Sequence, residues 1–153
     1  MSATLYDRWQ ALAPRPGGAR LFSWLVGRMA RYTGSIRPRV RHLEPGRCEV
    51  AMADRRAVRN HLGSVHAIAL MNLGEVVSGL AVLAALGPDR RGIVTDLAMR
   101  YEKKARGPLV GRADFDPPAA DHDGPFVATA ELFDDAGDRV AVCTATWTLG
   151  PRR

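Results

Sequence analysis

One long apolar segment constrains the fold of this chain more than any other feature of its sequence. It follows the turn-rich stretch 60–63 and continues to Leu86 without a proline. A helix of roughly twenty residues is about 30 Å long, which is the width of a small domain. Because apolar residues occur on every side of such a helix, we expect it to be buried on every side. The rest of the chain should then form a layer that wraps around it.

A single carboxylate, Glu75, lies near the middle of this apolar segment. A buried charge is costly unless it is paired or used for chemistry. Burial would also raise the pKa of the carboxyl group toward the range that suits a general base. Glu75 is therefore the first candidate for a catalytic residue, although it could instead be a structural carboxylate paired with an arginine across an interface.

The overall composition is typical of one soluble globular domain with a basic surface. The 153 residues are enough for a sizeable core, and 46% of them are hydrophobic and 25% charged. A net charge of +6 would suit a nucleic acid, a phosphorylated small molecule or an acidic protein. Because the arginines are spread along the chain with few aromatic residues among them, we expect no nucleic-acid binding.

The cysteines and the N-terminal residues favour a cytoplasmic protein. Cys48 and Cys143 show neither C-x-x-C spacing nor a nearby pair of histidines, so we predict reduced thiols and no metal site. The first eight residues contain no apolar core of the secretory type. A transmembrane segment is not expected either, because Glu75 would then lie near the centre of the bilayer.

The N-terminal 34 residues have the periodicity of helices. Apolar residues at helical spacing predict one helix over Leu5–Ala13 and a second over Ala19–Tyr32, separated by a proline- and glycine-rich stop. We interpret residues 1–34 as a helical arm that packs on the main domain or on a partner subunit.

From Ser35 onward the pattern alternates with a period of two, as in strands with one wet face. A turn at Glu44–Gly46 predicts a hairpin before the apolar helix, and about four alternating strands follow that helix. In the first of them, Ile93, Thr95 and Leu97 should share one face. We therefore predict an α+β domain over residues 35–153, with an antiparallel sheet curved around the central helix.

The residues around the start of the apolar helix form a recognisable constellation. Asn60, Gly63, Val65 and His66 precede the helix, and Glu75 follows His66 by nine positions. With the strand order, this spacing resembles hotdog-fold acyl-CoA thioesterases of the phenylacetate-pathway type. The residues around Asn60 are also similar to a less characterised thioesterase branch of the same fold. The resemblance covers roughly residues 36–149.

The resemblance implies thioester hydrolysis without a metal or redox cofactor, with a coenzyme A thioester as substrate. It implies that the Ala67 N–H binds the thioester oxygen, that Glu75 acts as base or nucleophile, and that Asn60 positions the water or the carbonyl. Gly63 and Ser64 would contact the substrate. Family members carry Gly-Gly where this chain has Ala67-Ile68, a change that could narrow the acyl slot or alter activity.

Elementary chemistry supports the same site. A helix N-terminus presents free N–H groups and a partial positive charge, and one such donor to a developing oxyanion contributes about 10²–10³ in rate. Structural alternatives remain open for three residues. Asn60 could be only a turn former, His66 could stabilise the loop–helix junction, and Ser78 could bond either Glu75 or its own helix.

The spacing of His66 and Glu75 also predicts an oligomer. At about 100° per residue, nine positions place these residues on opposite sides of one helix, so they cannot converge within one subunit. A two-fold dimer would bring Glu75 of one chain near Ala67 of the other. We therefore expect a homodimer, or a dimer of dimers, with two composite sites.

A basic run at 103–106 is the predicted phosphate site. The resemblance places the phosphates of coenzyme A near Lys103, Lys104 and Arg106, although these residues could instead be a solvated strand end.

Three rival functions remain on the same fold. The first is a non-catalytic acyl-CoA binding or regulatory protein, which the Ala67-Ile68 departure favours. The second is a hydratase or dehydratase, for which only His61 offers a second histidine near the helix. The third is a structural interaction module, suggested by the apolar N-terminal arm.

Overall fold

A computed structural model describes residues 3–152 of the chain. Its helices and strands follow one another in the order α1 (Leu5–Leu12), α2 (Gly18–Met29), α3 (Arg31–Gly34), β1 (Arg39–Glu44), β2 (Arg47–Met52), α4 (Ala67–Leu83), β3 (Arg90–Tyr101), β4 (Leu109–Asp114), β5 (Gly124–Phe133) and β6 (Arg139–Pro151). A turn of 3₁₀ helix at Arg56–Val58 lies between β2 and α4. None of the helices in this part of the chain is long and apolar enough to cross a membrane.

The six strands form one antiparallel sheet in the order β1-β2-β4-β5-β6-β3, and α4 contacts every one of them. Six strands laid flat would be about 24 Å wide, whereas a helix with its side chains is about 10 Å wide. The sheet must therefore curve for all six strands to reach α4. This arrangement confirms the predicted α+β fold, with a central helix wrapped by a curved sheet.

Close packing between α4 and β6 brings the helix directly against the sheet. A Cβ atom at Gly74 would lie 2.5 Å from Cβ of Cys143, and one at Gly79 would lie 2.6 Å from the indole ring of Trp147. Only glycine permits this approach at either position. Cys143 and Cys48 are buried free thiols, as the sequence predicted.

The N-terminal helices pack into the same core as α4. The rings of Trp9 in α1 and Phe22 in α2 meet edge-to-face with centroids 5.1 Å apart, and both belong to the main hydrophobic cluster. In α2, the Ser23 hydroxyl accepts from the Val40 N–H of β1 at 2.9 Å. The predicted division at residues 34 and 35 stays a prediction, but the arm is attached to the domain by apolar and polar contacts.

The predicted ends of two helices were wrong. The second arm helix ends at Met29 rather than Tyr32, because the chain leaves helical geometry at Ala30 and starts the short α3. The central helix ends at Leu83, and the apolar residues up to Leu86 form turns that still pack in the core. At residues 84 and 86, therefore, apolar side chains are buried without being helical.

The expectation that the central helix is buried on every side was also wrong. Ile68 is 47% exposed, and Met71 and Glu75 are half-buried. These three residues follow one another at helical spacing, so they form one bare stripe on the N-terminal half of α4.

A β-bulge corrects the predicted faces of β3. The pairing with β6 shifts register between Val94 and Asp96, so that Thr95 is an extra residue in the strand. Val94 and Leu97 pack on the core, whereas Ile93 is 51% exposed. Ile93 and Leu97 therefore lie on opposite faces, which an unbroken period of two does not predict.

Candidate functional site

The turn before α4 is organised by Asn60. Its side-chain oxygen accepts from the N–H groups of Leu62 at 2.9 Å and Ser64 at 3.1 Å, and its own N–H donates to the Ser64 carbonyl. Gly63 adopts a φ of 72°, which suits glycine in a tight turn. The observed contacts of the Asn60 oxygen are those of a turn former, while the residue still faces the cleft described below.

His66 caps the N-terminus of α4. Its Nδ1 atom accepts from the Ile68 N–H at 3.0 Å, which occupies one of the free donors of the first turn. This contact supports the interpretation that His66 stabilises the loop–helix junction. The Ala67 N–H, in contrast, has no hydrogen-bond partner between residues 3 and 152. It remains available to an oxyanion at the positive end of the helix.

A cleft of about 330 Å³ opens beside this helix start, and we call it the helix-entry cleft. Its lining includes five of the predicted site residues, namely Asn60, Ser64, Ala67, Lys103 and Lys104. The Ser64 hydroxyl is buried without a hydrogen-bond partner in the described residues. Buried hydroxyls normally have a partner, so this one is an exception next to the cleft.

The basic run at 103–106 offers less free positive charge than the sequence suggested. The Lys103 ammonium contacts one carboxylate oxygen of Asp134 and one of Asp138, each at 2.7 Å. These contacts raise the pKa of Lys103 above its usual range, so the ammonium stays charged and two carboxylates balance that charge. Lys104 and Arg106 are exposed. Lys104 lines the cleft, so it is the better candidate for a phosphate contact.

Glu75 is half-buried on α4, with no ion pair or side-chain hydrogen bond to the part of the chain that the structure describes. Desolvation raises the pKa of its carboxyl group. The pKa of the neighbouring Cys143 thiol rises to about 11, mainly through burial and secondly through the charge of Glu75. The Ser78 hydroxyl donates to the backbone carbonyl of Glu75 at 3.1 Å, so it bonds its own helix rather than the carboxylate.

A single chain does not bring the Ala67 N–H and the Glu75 carboxylate together. Ala67 and Glu75 are eight residues apart on α4, which corresponds to about 12 Å along the helix axis. A nucleophile must come within about 3–3.5 Å of the carbon that it attacks. The two groups therefore cannot serve one thioester within a single subunit.

Two residues that hold the candidate site in place, Tyr101 and Asp54, were not predicted from the sequence. The Tyr101 hydroxyl, at the end of β3, donates to the Ala67 carbonyl at 2.9 Å and fixes the first turn of α4. Asp54 accepts from Arg59 at 2.6 Å and from the Gly107 N–H at 2.9 Å, which ties the loops on both sides of the cleft. Tyr101 could have been noted as an aromatic residue at a strand end, but the contact of Asp54 with Gly107 joins residues 53 positions apart in the sequence.

Residues 18–149 match the sequence profile of a family described as a domain of unknown function, DUF4442. Comparison with curated proteins finds no match to the sequence. Several solved structures share the fold. A structural-genomics crystal structure is 29% identical, with a TM-score of 0.81 over 96% of this chain and 98% of its own.

Two further solved structures also share the fold. A protein of unknown function from Pseudomonas aeruginosa, described as a probable thioesterase, is 24% identical with a TM-score of 0.71 over 88% of this chain and 94% of its own. A phenylacetic acid degradation-related protein from Ralstonia eutropha, described as a thioesterase candidate, is also 24% identical, with a TM-score of 0.68 over 77% of this chain and 89% of its own. Together they confirm the predicted hotdog fold.

Proposed function

The chain belongs to the DUF4442 family, and we propose that it is a hydrolase that cleaves acyl-CoA thioesters. The observation that carries the proposal lies on α4, where neither the Ala67 N–H nor the Glu75 carboxylate has a partner in residues 3–152. The first is at the helix start, and the second is on the bare stripe. The thioesterase descriptions of structures with the same fold agree with this proposal.

The reaction needs an oxyanion donor and a group that activates water. Water adds to the thioester carbonyl, the Ala67 N–H stabilises the oxyanion, and Glu75 accepts the proton of the water. Collapse of the intermediate breaks the C–S bond, and the leaving thiolate takes the proton from Glu75 and departs as the thiol. In the second route, Glu75 attacks the carbonyl directly and expels the thiolate, and water then hydrolyses the resulting anhydride. The raised pKa of Glu75 makes it a better proton acceptor than an exposed glutamate.

A homodimer completes the site in this proposal. The bare stripe of Ile68, Met71 and Glu75 is apolar apart from its carboxylate, and an exposed apolar stripe favours contact with another chain. Pairing two such stripes about a two-fold axis places Glu75 of one protomer near the helix start of its partner. Each dimer, or each half of a dimer of dimers, would then hold two sites. The buried free thiols suit the reducing cytoplasm as the place of action.

Thiol release from a panel of short, medium, long and aryl acyl-CoAs tests the proposal. Glu75→Ala should lower turnover by about 10²-fold or more, as expected for a general base. Glu44→Ala is the matched control, because Glu44 is an exposed carboxylate at the end of β1. Turnover that survives in Glu75→Ala would remove this residue from the mechanism, and turnover of no acyl-CoA by the wild type would reject the hydrolase.

A non-catalytic acyl-CoA binding protein is the alternative, and the helix start favours it. The exposed Ile68 side chain stands where relatives of the thioesterase type carry glycine, which narrows the approach to the Ala67 N–H. Thermal stabilisation by acyl-CoA in both wild type and Glu75→Ala, without thiol release, would support this alternative.

A further inference from the structure

A second and larger cavity, of about 880 Å³, lies between α2, α3 and the segment that leads into β1. We call it the arginine groove, because its lining contains five arginines and no aspartate or glutamate. These residues are Arg20, Arg28, Arg31, Arg37 and Arg39. None of them belongs to the thioesterase constellation.

The fold builds this groove by a close contact between two short segments. A Cβ atom at Gly34 would lie 2.4 Å from the Gly27 carbonyl oxygen, so α3 can lie directly against α2 only because this residue is glycine. Arg37 then adopts a φ of 50°, the one non-glycine residue with positive φ in the described chain. That conformation costs about 1 kcal/mol or more. The surrounding contacts hold it nevertheless, and the residue lines the groove.

The arginines of the groove carry uncompensated charge. No ion pair joins any of the five to a carboxylate within residues 3–152, whereas elsewhere Arg59 and Arg112 each bind one carboxylate and Arg139 binds two. Five guanidinium groups around one concavity repel one another unless an anion lies between them. Guanidinium groups bind phosphate oxygens in a bidentate manner, so phosphate is the anion that best matches them.

An exposed indole forms another part of the lining. Trp24 is 59% exposed, whereas Trp9 and Trp147 are 8% and 5% exposed. The Arg28 guanidinium lies 5.8 Å from the centroid of the Trp24 ring. A large aromatic side chain left in water beside cations offers a stacking surface for a flat ring. The volume also falls in the range of small-molecule sites, about 300–1,000 Å³.

We propose that the arginine groove binds a nucleoside phosphate, with the phosphates on the arginines and the base against Trp24. The ligand can be a free nucleotide or the nucleotide end of a coenzyme A thioester. Ser35 lines both this groove and an adjacent cavity of about 320 Å³ that also contacts His66 and Ile68. The groove thus continues toward the start of α4, which favours the thioester. The site itself does not depend on thioester hydrolysis.

Quenching of tryptophan fluorescence tests the proposal, because Trp24 is the exposed tryptophan. Titration with ATP, 3′,5′-ADP, coenzyme A and pantetheine at low salt should give saturable quenching for the first three and none for pantetheine. Arg31→Glu and Arg39→Glu should each weaken binding by about tenfold or more, since each removes a charge-assisted phosphate contact. Arg56→Glu is the control of equal charge change, since Arg56 is exposed outside the groove, and it should shift the Kd less than twofold.

The arms of the titration distinguish the two sources of the ligand. Similar Kd values for 3′,5′-ADP and coenzyme A identify the nucleotide end of the thioester, whereas binding of ATP alone identifies a free nucleotide. If nucleotides quench the fluorescence but the protein releases no thiol from acyl-CoA, the nucleotide site stands and the proposed hydrolysis is rejected. Absence of saturable quenching, or equal loss in all three variants, would overturn the nucleotide site. Binding of only anionic vesicles or an acidic protein would overturn it as well.

Discussion

The two halves of α4 are similarly apolar in sequence, but they differ in burial. In the C-terminal half, Val77, Ala81 and Val82 are fully buried. In the N-terminal half, Ile68 is 47% exposed and Glu75 is half-buried. The difference comes from what covers one face of the helix. Hydrophobicity alone therefore does not show which part of a helix is core and which part meets a ligand or partner.

Trp147 of β6 is the residue that separates the two halves. Its indole ring lies against Gly79, which is one turn after Glu75 and on the same helix face. No residue of the described chain covers Ile68 in the same way. The covered half stabilises the fold within one chain, whereas the bare half is the part that the proposed dimer would cover.

Truncation in the covered half should have the largest effect on stability. Leu80→Ala removes a side chain that is 5% exposed and leaves a cavity, so we expect a loss of about 2–5 kcal/mol in the free energy of unfolding. Denaturant unfolding measures it, and the loss should not change with protein concentration. Val127→Ala, at a residue 60% exposed, is the control and should change stability by less than about 0.5 kcal/mol. A loss of stability for Leu80→Ala as small as that of the control would contradict the conclusion that this half of α4 is core.

A charge in the bare half should act on assembly instead. Ile68→Asp places a carboxylate in the proposed dimer contact, so the dimer Kd should rise by about tenfold or more, as expected for losing one buried isoleucine. Sedimentation velocity over a concentration series measures it. Val127→Asp is the matched control on an exposed face of β5. A wild type that is monomeric and active would contradict the composite site.

Removal of the Glu75 charge should stabilise the protein at neutral pH. Its folded-state pKa is raised from the ordinary value of 4.5 by desolvation. The folded state therefore holds the proton more tightly, and the stability from this group is lost as pH rises from about 4.5 through the folded pKa. Glu75→Gln should therefore be more stable than wild type at pH 7 and equal to it below pH 4. Thermal melts at both pH values test this. A lower Tm for the variant at pH 7 would show that an unseen cation pairs with Glu75.

Loss of the helix cap should have the smallest effect. His66→Ala removes the acceptor for the Ile68 N–H and should lower stability by about 1 kcal/mol, with a fall in turnover of less than tenfold. His66→Asn restores a side-chain acceptor and should recover most of the stability. A loss of turnover by 10²-fold or more with normal stability would instead assign His66 a direct part in the chemistry.

Part of the candidate site could be predicted from the sequence because its residues are neighbours in the chain. Asn60, Ser64 and Ala67 were predicted from one motif, and the structure brings them together in the helix-entry cleft. The basic run was less informative, because the carboxylates that neutralise Lys103 lie 31 and 35 residues further along the chain. The register shift in β3 was also hidden, since a bulge depends on the pairing of β3 with β6.

The basic run at 103–106 and the arginine groove show which properties follow from the sequence and which follow from the tertiary structure. Periodicity, turn residues and the spacing of Asn60, His66 and Glu75 determined the helices, the strands and the fold, because these signals act over a few residues. Charge acts through space, so only the folded chain could decide which cations remain free. The fold pairs Lys103 with two carboxylates. It also gathers the arginines spread over residues 20–39 into one groove whose lining contains no carboxylate. The electrostatic character of each surface follows from contacts between distant residues, which a linear sequence does not contain.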